Sequence, residues 1–451
     1  MKLEKLKYKV MSNQLTSNIK LSEKQNDAFS LMKKGENIFL TGPSGCGKTS
    51  CVKLFIKLYK QQKIIGVTST TGISALLFDG ITLHSFLGIG LGVGTVESLC
   101  STISKRSYLK KRWTELEVLI IDEISMLSPN LFDKIEEIAR YIRRDERPFG
   151  GIQLILSGDM LQLPCVNSED FCFESKSWDK CISKNNIVYL NKIMRQENKD
   201  FQECLNNIRV GELPLKTRKL LESRINVELK NDFGIKPTKI FSTNYSVDMF
   251  NNEELDKLAE SGQEFFEYIM ETHVYDIRDK QYTIEKYKKN CSAPAVLQLC
   301  TGAQVMLLFN LDTEGGLVNG SRGVISHFIR DIPVVKFLNG REIIIDYHIW
   351  EVEEHGKKIL KSIQIPLRLA YACTIHRLQG STLDYAEVDL GNIFEYGMAY
   401  VALSRTKNIE GLSISGIDFD KIKAHPKALK FYEDLNNTPI LDITPPGGLS
   451  F

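Results

Sequence analysis

Over residues 1–165, short runs that are apolar throughout alternate with stretches whose apolar positions keep a helical spacing. The runs at 37–40, 64–67, 118–121 and 153–156 are rich in Ile, Leu and Val and show no polar alternation. Strands of that composition are buried on both faces, as parallel strands are. Between them Val52, Phe55 and Tyr59 fall on one helical face, as do Leu131, Ile135, Ile138 and Ile142. Strand and helix in this alternation predict a doubly wound α/β sheet.

A second set of buried strands is expected at 187–190, 239–241, 388–390 and 412–415. Inside that set the texture changes at 311–366, where β-rich runs at 324–329, 334–338 and 342–350 are separated by turn residues. Asn339-Gly340 between two such runs is a strong hairpin signal. The pattern predicts a small antiparallel β module inserted into a second α/β domain. Residues 437–451, with Pro445-Pro446-Gly447-Gly448, read as a flexible tail.

Composition narrows the class without changing the fold. The 451 residues suffice for about three domains, with 43% hydrophobic and 25% charged residues, as in soluble globular proteins. A net charge of +2 means that any affinity for nucleic acid must come from a local basic surface. No apolar stretch reaches membrane-spanning length, and residues 1–10 carry no signal-peptide core. The expectation is an intracellular soluble protein of the cytoplasm or nucleus, with no targeting signal and no membrane partner. Ten cysteines, none in CxxC spacing, predict free thiols rather than disulfides or structural zinc.

The chemistry begins at Gly42-Pro43-Ser44-Gly45-Cys46-Gly47-Lys48-Thr49, which fits GxxxxGK[ST] between a buried strand and a helix pattern. Glycines let backbone N–H groups converge on phosphate oxygens, and the helix N-terminus adds its positive end. Lys48 would neutralise the β/γ-phosphates, and the Thr49 hydroxyl would hold Mg²⁺. The apolar strand ending in Asp122-Glu123 is its natural partner. Asp122 can reach the metal shell, and Glu123 can orient or deprotonate the attacking water. Gln162, in Gly158-Asp159-Met160-Leu161-Gln162, follows a third strand tip and is placed to sense the γ-phosphate. The segment Thr68-Ser69-Thr70-Thr71-Gly72, with Thr82-Leu83-His84-Ser85-Phe86, offers short hydroxyls for a phosphate backbone and an aromatic ring for base stacking.

With these motifs the chain resembles superfamily 1 helicases, and among them the petite-integration-frequency (Pif-type) family. The resemblance runs from about Leu21 to Leu435. It is most specific at Phe132-Asp133-Lys134-Ile135-Glu136-Glu137-Ile138-Ala139-Arg140, and is supported by Leu83-His84-Ser85-Phe86-Leu87-Gly88 and Phe173-Glu174-Ser175-Lys176-Ser177-Trp178. It implies two RecA-like domains, 1–190 and 191–310 with 367–436. It also implies a small wedge insertion at about 88–112 and an SH3-like β-barrel insertion at 311–366.

By the same resemblance Gln25 contacts adenine, and the phosphate loop with Ser50 holds ATP and Mg²⁺. Arg195 in Met194-Arg195-Gln196 and Arg405 in Val401-Ala402-Leu403-Ser404-Arg405 become arginine fingers from the second domain. In Thr374-Ile375-His376-Arg377-Leu378-Gln379-Gly380-Ser381-Thr382, Gln379 and Gly380 face ATP while His376 and Ser381 face the strand. The implied DNA contacts are Thr70, Gly72, His84, Phe86, Thr243, Asn244, Asn319, Arg322, His376 and Ser381.

The implied activity is 5′-to-3′ DNA unwinding in replication, repair, recombination or genome maintenance, on single-stranded, duplex or fork DNA, by a chain monomeric when free. Residues alone leave open an RNA or RNA–DNA hybrid helicase, or a P-loop ATPase that does not translocate. Departures from the family wording are Cys165, Arg377-Leu378, Met398 and Cys46. A helix N-terminus favours a thiolate, which would make Cys46 a site to watch for modification. The basic run Lys105-Arg106-Ser107-Tyr108-Leu109-Lys110-Lys111-Arg112 is a candidate fork contact.

Overall fold

The computed structural model describes residues 21–436, apart from 77, 79, 91, 167, 230–234, 276–290, 292, 310, 313–314, 316, 318–319 and 355–356. The expected tail at 437–451 and the candidate Asn319 lie outside the described residues.

The first sheet has six parallel strands: β1 (Ile38–Thr41), β2 (Ile65–Ser69), β3 (Ile81–Thr82), β4 (Val118–Asp122), β5 (Gln153–Gly158) and β6 (Ile187–Tyr189), in the order β3-β2-β4-β5-β1-β6. Side chains alternate between two covered faces. Ile38, Leu40, Val118, Ile120 and Ile155 share one core with Ala28, Met32, Val52 and Phe55 from helices Glu23–Lys34 and Lys48–Tyr59. Phe39, Leu119, Ile121, Leu154 and Leu156 share the other with Phe132, Ile135, Ile138 and Ile142 of helix Pro129–Arg143. Each of the larger side chains so buried contributes about 1.5–3 kcal/mol. That helix starts where its sequence says it should: Ser128 caps the Leu131 amide and Pro129 occupies the first turn.

Residues 187–189, grouped by pattern with the second set of strands, pair in parallel with β1 and close the first sheet instead. A buried strand carries no mark of which sheet it joins. The wedge region forms helices Val96–Ser104 and Ser107–Glu115, whose Leu99, Ile103, Leu109 and Trp113 enter the same core as Phe132.

Phe86 belongs to this packing and is not the free stacking ring expected. It is half-buried over β2, because Gly66 has no side chain there; a Cβ on Gly66 would lie 2.4 Å from the ring. The Arg112 guanidinium caps the ring at 5.0 Å and donates to the Phe86 carbonyl at 2.6 Å. Gly66→Ala should therefore destabilise the protein by about 1–3 kcal/mol in thermal or denaturant melts. In a Phe86→Ala background the same change should cost much less, and equal costs in both backgrounds would refute this packing.

The second sheet is built from β7 (Thr238–Phe241) and three later strands. Between them lie β8 (Phe265–Ile269), β9 (Glu271–Val274), β10 (Val296–Cys300), β11 (Gln304–Leu307), β12 (Arg322–Ile329), β13 (Ile332–Phe337), β14 (Glu342–Ile344), β15 (His348–Glu354), β16 (Lys357–Gln364) and β17 (Leu367–Leu369). They form antiparallel sheets of five, three and two strands around a core of their own. The insertion thus starts near 265 rather than 311: β9 joins β16 and β11 joins β12 and β17, while β8 and β10 pair with each other. The Asn339-Gly340 hairpin joins β13 and β14, with Gly340 at φ 82, and the run expected at 342–350 divides into β14 and β15. The chain then returns as β18 (Ala372–Thr374), β19 (Ala386–Leu390) and β20 (Leu412–Ile417), in the parallel order β18-β7-β19-β20.

The last helix, Pro426–Asn436, departs from the expected 367–436 domain. Ala428, Tyr432 and Leu435 pack in the first domain's core, and Phe431 stacks on Phe173 with centroids 4.3 Å apart. Among the described residues, no helix is long and apolar enough to cross a membrane, and all ten cysteines are free.

Candidate active site at the domain cleft

The carboxyl end of β1 runs into the phosphate loop, and helix Lys48–Tyr59 begins directly after it with Gly47 as its cap. Two loop glycines are required by their neighbours as well as by positive φ. At Gly45 (φ 79) a Cβ would meet the Arg195 Cβ at 2.5 Å, and at Gly47 (φ 88) it would meet the Gln25 Nε2 at 2.4 Å. Lys48 Nζ donates to the carbonyls of Gly42 (2.6 Å) and Pro43 (3.0 Å), which holds the ammonium over the loop. Thr49 and Ser50 occupy the first turn of the helix.

Cys46 corrects an expectation. It is 2% exposed and packs into the sheet core. Gln25 lies beside the loop. Its Oε1 accepts from the Ser22 amide at 2.9 Å, and its Nε2 faces the carbonyls of Cys46 and Gly47 at 3.5 and 3.4 Å. Next to it, a cavity of about 440 Å³ between Lys24, Cys46, Leu190 and Met194 is large enough for a nucleobase.

Asp122 and Glu123 end β4, both buried. Burial pushes both carboxyls up, Glu123 to about 7 with the Asp122 charge adding to the effect. Glu123 sits at φ 53, a left-handed conformation that non-glycine residues hold only when their surroundings fix it. Thr70 provides part of that fixing: its Oγ1 donates to the Glu123 carbonyl at 2.8 Å and its amide to the Asp122 carbonyl at 3.2 Å. Thr70, expected at the strand, therefore braces the Asp122-Glu123 turn. Gln162 is buried just beyond β5, and Gly397 of the second domain (φ 76) fits against its carbonyl, where a Cβ would stand at 2.6 Å.

Opposite the loop, the second domain presents both expected arginines. Arg195 Nη1 donates to Ser44 Oγ at 2.9 Å, and Arg405 Nη2 donates to the same oxygen at 2.8 Å. Arg405 is 1% exposed, and neither arginine forms an ion pair among the described residues. Burial, then the Arg195 charge, brings Arg405 down to about 9; burial also lowers Arg195. Two cations, Arg405 buried and Arg195 half-buried, sharing one neutral hydroxyl form a site that an anion would stabilise. Gln379 Nε2 crosses the same cleft to Glu123 Oε2 at 2.9 Å, and Gly380 follows at φ 81.

Sequence reading missed three contributors. The Tyr400 hydroxyl accepts from the Ser44 amide at 2.6 Å, and Gln196 Nε2 donates to the carbonyls of Ser404 (3.3 Å) and Thr406 (2.9 Å). Gln196 ends the Met194-Arg195-Gln196 motif and Tyr400 directly precedes the Val401–Arg405 run, but nothing in their spacing marks a partner. The third is Arg209, paired with Asp159 at 2.7 Å. It is an isolated arginine at a helix end and carries no motif.

The candidate DNA contacts divide. Thr243 and Asn244 are exposed at the end of β7, where Thr243 caps helix Asn244–Glu260. His376 and Ser381 follow β18, whose Thr374 pairs with Phe241 of β7, so both segments share one sheet edge. Ligands gather outside such carboxyl ends. Gly72 is exposed beyond β2, and His84 is half-buried, with burial lowering its imidazole.

Arg322 does not belong with them. It is 3% exposed, donates to Thr238 Oγ1 (2.7 Å) and the Tyr385 carbonyl (3.1 Å), and joins the β insertion to the second sheet. Its position at the start of a strand facing β7 turns the side chain inward. In the basic run, Arg112 is likewise spent on Phe86 and Tyr108, while Lys105, Lys110 and Lys111 are exposed.

Comparison with known proteins matches this geometry. The family model described as PIF1-like helicase matches residues 20–219, and that of the DNA helicase Pif1 2B domain matches residues 284–328. The crystal structure of Pif1 helicase from Candida albicans is 36% identical, with a TM-score of 0.80 over 92% of this chain and 100% of that one. The chain belongs to the PIF1-like helicase family.

Other members extend the likeness. The Bacteroides Pif1 solved in complex with ADP-AlF4 is 27% identical, with a TM-score of 0.76 over 94% of this chain and 98% of that chain. Protein 030L of Invertebrate iridescent virus 6 is 41% identical over 94% of this chain and 96% of its own length. The ATP-dependent DNA helicase PIF1 of Xenopus laevis is 38% identical over 92% of this chain, which spans 65% of that protein's length. The two sheets are therefore the RecA-like pair of this family, with the 2B insertion carried by the second.

Proposed function

We propose that the chain is an ATP-dependent motor that moves 5′ to 3′ along single-stranded DNA and unwinds duplex and forked DNA. The single observation that carries the reading is the convergence of Arg195 and Arg405, from one domain, on Ser44 in the phosphate loop of the other. A hydrolysis site divided between two domains links nucleotide state to their separation. With ATP in the loop, Lys48 and the two guanidiniums would spread the charge of the transferring phosphoryl group, and Glu123 would take a proton from the attacking water. Thr49 and Asp122 would hold Mg²⁺, which supplies charge neutralisation between the β- and γ-phosphates. The buried, raised carboxyl of Asp122 suits a site completed by a cation.

Strand contacts at Gly72 on one domain, and at Thr243, Asn244, His376 and Ser381 on the other, would alternate as the cleft opens and closes. Separating a base-pair step requires about 1.4 kcal/mol on average. The exposed lysines at 105, 110 and 111 extend a basic surface from the wedge helices toward a fork. The polarity and the choice of DNA over RNA rest on family membership, and action as a monomer is part of the same reading.

Unwinding of DNA and RNA duplexes with 5′ or 3′ tails tests it. Purified protein should open 5′-tailed DNA only with ATP, and Lys48→Ala should lose at least about 10²-fold of that activity. Activity confined to 3′ tails or to RNA would refute the assignment, as would none with any substrate.

A further inference from the structure

Gln379 is placed unlike any other polar residue of the cleft. It is 1% exposed, it belongs to the second domain, and its Nε2 donates to Oε2 of Glu123, 2.9 Å away on the first. Its own Oε1 is buried with no hydrogen-bond partner among the described residues. A buried amide oxygen left in that state is costly, and calls for a water or ligand atom that donates to it. In the ionised form in which Glu123 acts as a base it only accepts, so the amide turns its Nε2 toward it.

The same segment is tied to the rest of the machinery. Arg405 Nη1 donates to the carbonyls of Leu378 (3.3 Å) and Ser381 (3.4 Å), on either side of Gln379. Ser381 Oγ turns back to the Leu378 carbonyl at 2.7 Å, which fixes the turn. His376 and Ser381, the strand candidates, therefore bracket the residue that touches the general base.

We propose that Gln379 is a positioning residue that orients the Glu123 carboxylate and the attacking water, and does so only while the strand-gripping segment is seated against the first domain. With one Glu123 oxygen occupied by Gln379 Nε2, the other is free to take a proton. A water between that oxygen and Gln379 Oε1 has an acceptor for each hydrogen, and turns a lone pair toward phosphorus. As the new P–O bond forms, one proton passes to Glu123. The other stays on the oxygen joining the phosphate, and the β,γ-bridging oxygen leaves with ADP and its electron pair. Strand binding that shifts the 374–382 segment would move Gln379 with it, so hydrolysis would depend on the strand without any contact between strand and nucleotide. This inference rests on the motor reading above.

Gln379→Met, similar in volume but unable to hydrogen-bond, is the test, with Gln379→Ala as a second variant. ATP turnover with single-stranded DNA should fall by about 10²-fold in kcat, with KM for ATP unchanged. Affinity for ADP with aluminium fluoride, which mimics the phosphoryl group under attack, should fall by a similar factor. Affinities for ADP alone and for single-stranded DNA should stay within about twofold. Wild-type kcat and aluminium fluoride affinity in both variants would overturn the inference. So would a loss of ADP affinity equal to the loss with aluminium fluoride. If the wild-type protein itself shows no strand-stimulated turnover, the motor reading falls and takes this inference with it. If it does show it and the variants match it, only the inference falls.

Discussion

Arg405→Ala is expected to lower ATP turnover by about 10³–10⁵-fold, the range for loss of an arginine that stabilises a transferring phosphoryl group. ADP affinity should change little, since Arg405 reaches Ser44 and does not line the cavity beside Gln25. Arg405→Lys should recover little of the loss. The native guanidinium uses Nε on the Val401 carbonyl, Nη1 on the carbonyls of Leu378 and Ser381, and Nη2 on the hydroxyls of Ser44 and Ser404. An ammonium cannot make that fork. The folded protein should tolerate the change, because Arg405 is a buried cation without a carboxylate and burial works against its charge. Phosphate release assays beside thermal melts would show this as dead enzyme with unchanged or raised stability. Turnover within tenfold of wild type would remove Arg405 from the catalytic set.

Arg209→Met should have the opposite profile, with a stability loss of about 3–5 kcal/mol because it strands the Asp159 charge. Asp159 is fully buried and Arg209 is 7% exposed; their bonds are 2.7 and 2.9 Å. Burial alone would raise the Asp159 carboxyl, but the Arg209 charge and hydrogen bonds overcome it and leave the group below its ordinary value. A depressed carboxyl contributes stability above its unfolded value, near 4, and loses it as pH falls through the folded one. The Arg209→Met deficit should thus be large at pH 7 and shrink in acid. Asp159→Asn in the Arg209→Met background should recover part of the loss, as expected for coupled partners.

The pair also joins three parts of the chain. Arg209 ends helix Lys199–Arg209 of the second domain, Asp159 follows β5 of the first, and Tyr432 of the last helix donates to Asp159 at 3.1 Å with its ring 4.9 Å from the Arg209 guanidinium. The Tyr432 hydroxyl also lies 2.6 Å from Thr41 Oγ1, at the base of the phosphate loop. The contacts at Ser44 thus lie beside a buried tie between the domains, a geometry suited to hinged motion.

Much of the ATP site was legible along the chain. Its chemistry is local: a strand, glycines at fixed offsets, a helix start and a strand-end carboxylate pair are neighbours in sequence because they are neighbours in space. The doubly wound first sheet was legible for the same reason, since strands buried on both faces leave unbroken apolar runs. The family wording then carried Arg195, Arg405 and Gln379 across to the right side of the cleft.

Other expectations failed where a side chain's direction depends on a distant segment. Phe86 was expected to meet a base, but the missing side chain of Gly66 opens a slot beneath it. Arg322 was expected at the strand, but Thr238 and Tyr385, brought close only by folding, turn it inward. The last helix was given to the second domain and completes the first, while strand 187–189, grouped by its apolar pattern with the later strands, pairs with β1. An apolar strand or a one-sided helix satisfies its own pattern against any complementary core.

The sequence by itself determined the local machinery: the phosphate loop, the Asp-Glu strand, the β insertion's central hairpin and the period of each helix. These depend on residues within about one element of each other, where spacing fixes geometry. Tertiary structure alone decided that Ser44 gathers both guanidiniums, that Gln379 reaches Glu123, and that Asp159, Arg209 and Tyr432 form one buried network. Those contacts join residues tens to hundreds of positions apart, and only the burial of apolar surface that docks one domain on the other brings them within hydrogen-bonding distance.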